Sequence, residues 1–167
     1  MSSFSRFLDQ NLLDVISCVH HELIKNSFSI SIAESCTGGF LSACLTSRSG
    51  ASSYFKGSMV AYSNELKIGF LDIDEKFIHQ HGVASQDVVE VMAKNIRQKF
   101  KTNFGLATTG YVDGFLEQKK DMQNYAWIAI STERSVYSKR LLLDDDRLNN
   151  IAIVSLAILE LLRKEIV

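Results

Sequence analysis

The sequence lacks proline altogether, contains three cysteines, and has a net charge of only −1 over 167 residues. Without proline, every tight turn has to rely on Gly, Asn, Asp or Ser. The cysteines are Cys18, Cys36 and Cys44, and no pair of them has the C-x-x-C spacing of a metal site. An odd number of widely spaced cysteines argues against a disulfide framework, so we expect a reducing compartment.

Long apolar runs are also missing, and this excludes further classes of protein. No stretch approaches the ~20 apolar residues that cross a bilayer. The first ten residues contain Asp9 and no long apolar run, which is not the pattern of a secretory signal. The near-neutral charge lacks the basic balance of nucleic-acid-binding domains. We therefore expect a cytoplasmic chain whose partners are neither membranes nor nucleic acids.

The composition that remains is that of a globular protein, with 46% hydrophobic and 22% charged residues. We find no repeat, linker or change of composition, so residues 1–167 are interpreted as a single domain. The periodicity predicts an alternation of helices and strands that ends in a β-hairpin and a last helix. The predicted strands are 28–33, 59–62, 104–108, 125–131 and 136–143; the predicted helices are 7–25, 36–46, two short ones after Ser63 and Asp74, one capped by Ser85 that runs to Phe100, and 147–164.

This order predicts an α/β fold, because strands separated by helices form parallel crossovers. The last hairpin adds an antiparallel pair. We expect a three-layer α/β/α domain with a mixed, mostly parallel sheet. The last helix is apolar on more than one face, so it is either deeply packed or part of a subunit interface.

The first segment that can carry chemistry is 33–39 (AESCTGG), where a strand runs into a helix. Backbone N–H groups at a helix start are unpaired and can hold a phosphate or a developing oxyanion. Ser35 is a candidate nucleophile there, although it can equally be a helix cap. Cys36 is a second candidate nucleophile, although a small buried thiol is the commoner fate.

Two further segments lie at predicted strand ends. Tyr62 ends one strand and Lys67 lies one turn into the next helix, so the two groups can converge over the edge of the sheet. A lysine held out of water can lose its proton near neutral pH and act as a base. The turn of Thr109, Gly110 and Asp113 also follows a strand, where ligands bind in open α/β sheets. Taken alone, both segments favour an ordinary structural role, with a solvated Lys67 beside a half-buried Tyr62 and a plain turn after the strand.

Together these segments resemble one family. The strings AESCTGG (33–39), YSNELK (62–67) and HGVAS (81–85), followed by Asp146-Arg147, have the order and spacing of the CinA carboxy-terminal domain. The resemblance extends from about Leu13 to Leu162. That family includes the nicotinamide-nucleotide amidases, which hydrolyse the carboxamide of nicotinamide mononucleotide to nicotinate mononucleotide and ammonia.

The resemblance implies a CinA-type α/β/α domain that forms homo-oligomers, takes a small nucleotide as substrate and needs neither metal nor cofactor. Ser35 matches the nucleophile, and Lys67 and Tyr62 match its supporting residues. We hypothesise that neutral Lys67 accepts the serine proton directly or through Tyr62, and that N–H groups around Cys36–Gly38 bind the oxyanion. The expected oxyanion and substrate-binding residues are Cys36, Thr37, Gly38, Gly39, Thr109, Gly110 and Asp113.

The sequence departs from the family in the stretch 109–125. Active members usually carry G-I-A-G-P-D-G-G and then K-P-V-G-T-V, whereas this chain has GYVDGF at 110–115 and KKDMQNY at 119–125. Both prolines are gone, and Tyr111 is bulky where the family is small. Asp145 also stands where a glycine is usual. Two alternatives therefore remain open: a nucleotide-binding or regulatory domain without catalysis, and an amidase for another substrate.

Overall fold

The computed structural model describes residues 9–113 and 123–167. In chain order, helices and strands alternate as the sequence predicts. The elements are α1 (Gln10–Lys25), β1 (Ile30–Glu34), α2 (Phe40–Thr46), a short 3-10 helix (Ala51–Ser53), β2 (Phe55–Val60), α3 (Asn64–Gly69), α4 (Glu75–His81), α5 (Gln86–Phe100), β3 (Phe104–Tyr111), β4 (Asn124–Ser131), β5 (Val136–Leu143) and α6 (Arg147–Ile166).

The five strands form one mixed sheet in the order β2-β1-β3-β4-β5. β1 pairs in parallel with both β2 and β3, whereas β4 runs antiparallel to β3 and to β5. Four of the five strands therefore point in the same direction, and the predicted mixed, mostly parallel sheet is confirmed. Glu34 at the end of β1 is in register with Val60 of β2 and Thr108 of β3. The segments that follow β1 and β2 thus leave the sheet at one edge, beside the last residues of β3.

Two hydrophobic cores cover the two faces of this sheet. On one face α1, α2 and α6 pack around Ile32 of β1 and Leu106 of β3. On the other face α4 and α5 pack around Ala33 and Ala107, with α3 at the margin. Alternate residues of a strand point to opposite faces, so these central strands contribute to both cores. Helices on both sides of the sheet give the predicted three-layer α/β/α architecture.

The helix starts follow the predicted capping chemistry. Ser63, Asp74 and Ser85 each accept a hydrogen bond from the first turn of α3, α4 and α5, respectively. Such caps satisfy N–H groups that a helix start leaves unpaired, which is why Ser and Asp are favoured there.

Three predicted boundaries are wrong. β3 runs to Tyr111 rather than to Thr108. Thr109 and Gly110 therefore pair with β4 inside the strand and do not belong to a turn after it. α2 begins at Phe40 rather than Cys36, because Gly38 and Gly39 adopt positive φ angles and form a turn before the helix. β2 covers 55–60 rather than 59–62. It is an edge strand whose two faces are buried to a similar extent, so its apolar and polar residues do not alternate clearly enough to mark its ends. The predicted start of α1 at residue 7 lies outside the described residues.

α6 is a packed helix. Eight of its residues are buried, Ile158, Leu159 and Leu162 among them, and it lies against α1, α2 and β4. Packing on several sides explains why its apolar residues are not confined to one face. Within 9–113 and 123–167, no helix has the length and apolar character needed to cross a membrane.

Candidate active site

Ser35 lies in a sharp turn directly after β1. Its N–H donates to the Thr108 carbonyl at 3.0 Å, and its own carbonyl accepts from the Gly38 N–H at 3.2 Å. Gly38 (φ 59°) and Gly39 (φ 98°) occupy the left-handed region, which glycine adopts without strain. The turn therefore depends on both glycines and holds Ser35 at the carboxyl edge of the sheet.

Glu34 fills the start of α2, a role that the sequence analysis missed. Its fully buried carboxylate accepts from the backbone N–H groups of Gly39 (2.9 Å), Leu41 (3.2 Å) and Ser42 (2.8 Å). It also accepts from the Ser42 and Thr37 hydroxyls. The available signal was an acidic residue just ahead of a helix, where the helix dipole favours an anion.

The position of Glu34 changes the expected oxyanion donors. The Gly38 N–H donates to Ser35 and the Gly39 N–H donates to Glu34, so both groups are engaged inside the protein. The Thr37 hydroxyl is engaged as well, with Glu34 at 2.7 Å and Thr108 at 2.8 Å. Of the predicted stretch, the backbone N–H groups of Cys36 and Thr37 remain as candidate donors.

Lys67 contacts the Ser35 side chain directly. Its Nζ lies 3.1 Å from Ser35 Oγ and 2.7 Å from the Ala61 carbonyl oxygen, and the residue is 1% exposed. Burial lowers the pKa of Lys67 from 10.5 to about 8. A neutral amine that donates to the Ala61 carbonyl keeps its lone pair for the serine proton. The contact between a hydroxyl and a buried amine is the geometry that activation of a serine nucleophile requires.

Tyr62 and Arg147 lie at the rim of the same pocket. Tyr62 is 57% exposed, and its hydroxyl accepts from Arg147 Nη2 at 2.7 Å. Arg147 Nη1 also pairs with Asp113 Oδ2 at 2.9 Å. The Tyr62 hydroxyl thus contacts Arg147, whereas Ser35 is contacted by Lys67. Arg147 was part of a recognised motif, but the sequence analysis gave it no role, because nothing local shows that it reaches Tyr62.

These side chains surround a cavity of about 350 Å³. Seven predicted site residues line it, whereas Thr37, Gly38 and Gly39 shape the turn behind it. The predicted residues in the wall are Ser35, Cys36, Tyr62, Lys67, Thr109, Gly110 and Asp113, and the structure adds Asn64, Val83, Ala84, Tyr111, Val112 and Arg147.

The far wall of the cavity is held by buried polar contacts. Thr109 Oγ1 donates to the Val83 carbonyl at 2.9 Å. The Asn150 side chain is fully buried and donates to the carbonyls of Val112 (2.9 Å) and Asp145 (2.6 Å). Asn150 therefore ties the end of β3 to the loop before α6. The predicted changes at 114–122 lie outside the described residues.

Cys36 is a poor alternative to Ser35 as nucleophile. It is buried, and burial raises the pKa of its thiol to about 12, which disfavours the reactive thiolate. In the described part of the chain, His, Cys, Asp and Glu nowhere gather in a group of three that could hold a metal.

Comparison with known proteins gives a consistent result. The family model described as the CinA C-terminal domain matches residues 13–166. A CinA-like protein from Cytophaga hutchinsonii is 40% identical over 146 residues, which are 86% of this chain and 34% of that protein. A second, from Amoebophilus asiaticus, is 38% identical over 154 residues, which are 92% of this chain and 37% of that protein. The chain thus spans about a third of the length of these relatives.

Solved structures show the same fold. A CinA superfamily protein from Klebsiella pneumoniae has a TM-score of 0.88 at 22% identity, over 94% of this chain and 98% of that one. A competence/damage-inducible protein from Agrobacterium tumefaciens has a TM-score of 0.86 at 22% identity, over 97% of both chains. At this level of identity the likeness concerns architecture.

Proposed function

Because this chain belongs to the CinA C-terminal domain family, we propose that it is an amidohydrolase that deamidates nicotinamide mononucleotide to nicotinate mononucleotide and ammonia. One observation carries this proposal: the buried amine of Lys67 lies 3.1 Å from the hydroxyl of Ser35 at the wall of a small-molecule cavity. A buried base in contact with a hydroxyl is the requirement for an activated serine.

The proposed reaction has two halves. Ser35 Oγ attacks the amide carbon while neutral Lys67 takes the hydroxyl proton. Lys67 then gives that proton to the departing nitrogen, so ammonia leaves and an ester of Ser35 remains. In the second half Lys67 takes a proton from water and the hydroxide attacks the ester carbon. Lys67 then returns this proton to Ser35 Oγ as the ester bond breaks, which releases the acid and restores Ser35.

The negative charge that develops on the amide oxygen needs donors. The backbone N–H of Cys36, the residue after the nucleophile, and that of Thr37 are the groups proposed for this role. Loss of one such donor typically costs about 3 kcal/mol of transition-state stabilisation. Glu34 supports the arrangement indirectly, because it holds the turn that presents these two N–H groups.

The proposed ligand also carries a phosphate. Among the described residues, Arg147 is a cation at the rim of the cavity, and its planar guanidinium suits a bidentate contact with phosphate oxygens. In the free protein its partners are Tyr62 and Asp113. A phosphate would compete with Asp113 for Arg147, which would leave Asp113 and Thr109 near the ribose.

The test is ammonia release from nicotinamide mononucleotide by the purified chain. Ser35→Ala should reduce turnover at least ~100-fold, because the nucleophile is lost. Ser52→Ala is a matched control, since Ser52 is exposed on the short 3-10 helix. Normal turnover by Ser35→Ala would refute the proposed mechanism.

A second candidate is a nucleotide-binding domain without catalysis. It is favoured by Tyr111, which brings a large ring into the cavity wall where the family sequence is small. It predicts a rise of melting temperature with nicotinamide mononucleotide and no ammonia. Ammonia from other amides, with dependence on Ser35, would instead indicate a different substrate.

A further inference from the structure

Tyr111 forms one wall of the cavity at the end of β3. The backbone beneath it is tightly placed. A Cβ atom on the preceding Gly110 would lie 2.5 Å from the Ala126 Cα atom, so β3 and β4 are in close contact there. Tyr111 itself is paired with Tyr125 of β4, which fixes its backbone beside the cavity.

The Tyr111 ring contacts the ring of Tyr125, which in turn contacts Arg140. Tyr111 is in register with Tyr125 of β4, and the two rings make an edge-to-face contact with centroids 5.7 Å apart and planes at 77°. The guanidinium of Arg140 on β5 lies 4.4 Å from the centroid of Tyr125. Aromatic pairs of this geometry and cation–π contacts are both stabilising, so the three side chains form a ladder across three strands.

Among the described residues, the charged groups that line the cavity are engaged in the free protein. Asp113 pairs with Arg147, and Lys67 contacts Ser35 and Ala61. A positively charged ring without a phosphate leaves the Arg147–Asp113 pair intact and therefore meets Asp113 already paired with a cation. The face of a tyrosine carries the negative end of the ring quadrupole and attracts cations, which gives such a ring a partner.

We propose that Tyr111, in contact with Tyr125 and through it with Arg140, is a specificity-determining residue that stacks on a planar, positively charged ring beside the carboxamide. This inference rests on the proposed function, whose substrate contains a pyridinium ring. It assigns Tyr111 to the ring, and leaves Ser35 and Lys67 to the amide.

The experiment measures binding in the Ser35→Ala protein by calorimetry, so turnover does not interfere. The probes are nicotinamide mononucleotide, 1-methylnicotinamide, which is a cation, and nicotinamide, which has the same ring and amide without the charge. Tyr111→Leu should raise the Kd of the two cationic probes about 10-fold, whereas Tyr111→Phe should change it less than about 2-fold. Tyr137→Leu, on the exposed surface of β5, is the matched control.

Two comparisons separate a ring contact from general damage. Melting temperatures show whether Tyr111→Leu folds. Independently of any variant at Tyr111, the Ser35→Ala protein should bind 1-methylnicotinamide more tightly than nicotinamide.

The inference is overturned if Tyr111→Leu binds the cationic probes as tightly as its parent. It is also overturned if the charged and neutral rings bind equally, or if none of the three probes binds. Absence of ammonia release with Tyr111-dependent binding would refute the proposed function and leave this inference standing. Ammonia release, together with binding that does not depend on Tyr111, would support the proposed function and overturn this inference.

Discussion

Lys67 is a buried amine, and its burial has opposite effects on folding and on reactivity. Removing an ammonium group from water is unfavourable, so the charged form is destabilised and the pKa falls to about 8. The same shift supplies the unprotonated amine that a general base requires. The burial of Lys67 therefore lowers stability at neutral pH, and in the proposed mechanism the same burial makes the amine available as a base.

The pH dependence of turnover follows from this pKa. If neutral Lys67 is the base, kcat/KM for nicotinamide mononucleotide should rise with pH, with a midpoint near 8, and then level off. Rates measured between about pH 6.5 and about pH 9.5 would show this limb. Lys67→Arg, which stays charged throughout, should be inactive at every pH. A flat profile in the wild type would exclude Lys67 as the titrating base.

The stability of the fold should depend on pH through the same group. The folded pKa of about 8 lies below the ordinary value of 10.5, so between these values the unfolded chain binds more protons. The contribution of Lys67 to unfolding free energy therefore increases as pH rises through that window. Below about pH 8 its burial carries the full, constant penalty.

Lys67→Met tests this directly. The variant should lose ammonia release, melt at the same or a higher temperature than the wild type at pH 7, and lack the rise in stability towards pH 10. Urea unfolding at several pH values gives the comparison. If unfolding free energy rises with pH by the same amount in both proteins, Lys67 is not the group responsible and the assignment is wrong.

At the scale of elements, the start of α2 depends on Glu34. Glu34→Gln places amide hydrogens against backbone N–H groups that now donate to a carboxylate, and at least one donor loses its acceptor. We expect the unfolding free energy to fall by about 1–3 kcal/mol. Glu133→Gln, at an exposed position, is the control. Equal stability of the two variants in urea would show that the cap is dispensable.

The same element shows what sequence patterns can and cannot predict. Caps at Ser63, Asp74 and Ser85 were predictable because a cap concerns only residues within one helical turn. The start of α2 at Phe40 could not be predicted in this way, because it depends on the turn conformation of Gly38 and Gly39 and on the contacts of Glu34. Each of these is set by the sheet that holds β1 in place.

At the scale of the whole molecule, the residues that line the cavity come from five separate parts of the chain. The motifs identified Ser35, Lys67 and Asp113 because these residues follow strands that share one edge of the sheet. The partnership of Arg147 with Tyr62 joins residues 85 positions apart in sequence. Such a contact depends on how α6 packs against the sheet and on the directions of the side chains. The spacing of apolar residues in the sequence gives no information on either.

The two cores should unfold together. β1 and β3 contribute to both, so melting of one core removes a wall of the other. Circular dichroism and the fluorescence of Trp127 on β4 should therefore report one coincident thermal transition. Two separated transitions would show that the faces are independent. The homo-oligomer implied by the family resemblance stays a prediction, and light scattering on the same sample tests it.

Glu34 also has a consequence for the way a ligand enters. Inorganic phosphate is abundant in cells, and an open helix start beside the nucleophile would attract it as a standing inhibitor. Here the helix carries its own anion, so free phosphate finds that position already filled. Under the proposed function, we therefore expect a phosphate-bearing nucleotide to bind with its phosphate towards Arg147 and its amide end deeper in the cavity.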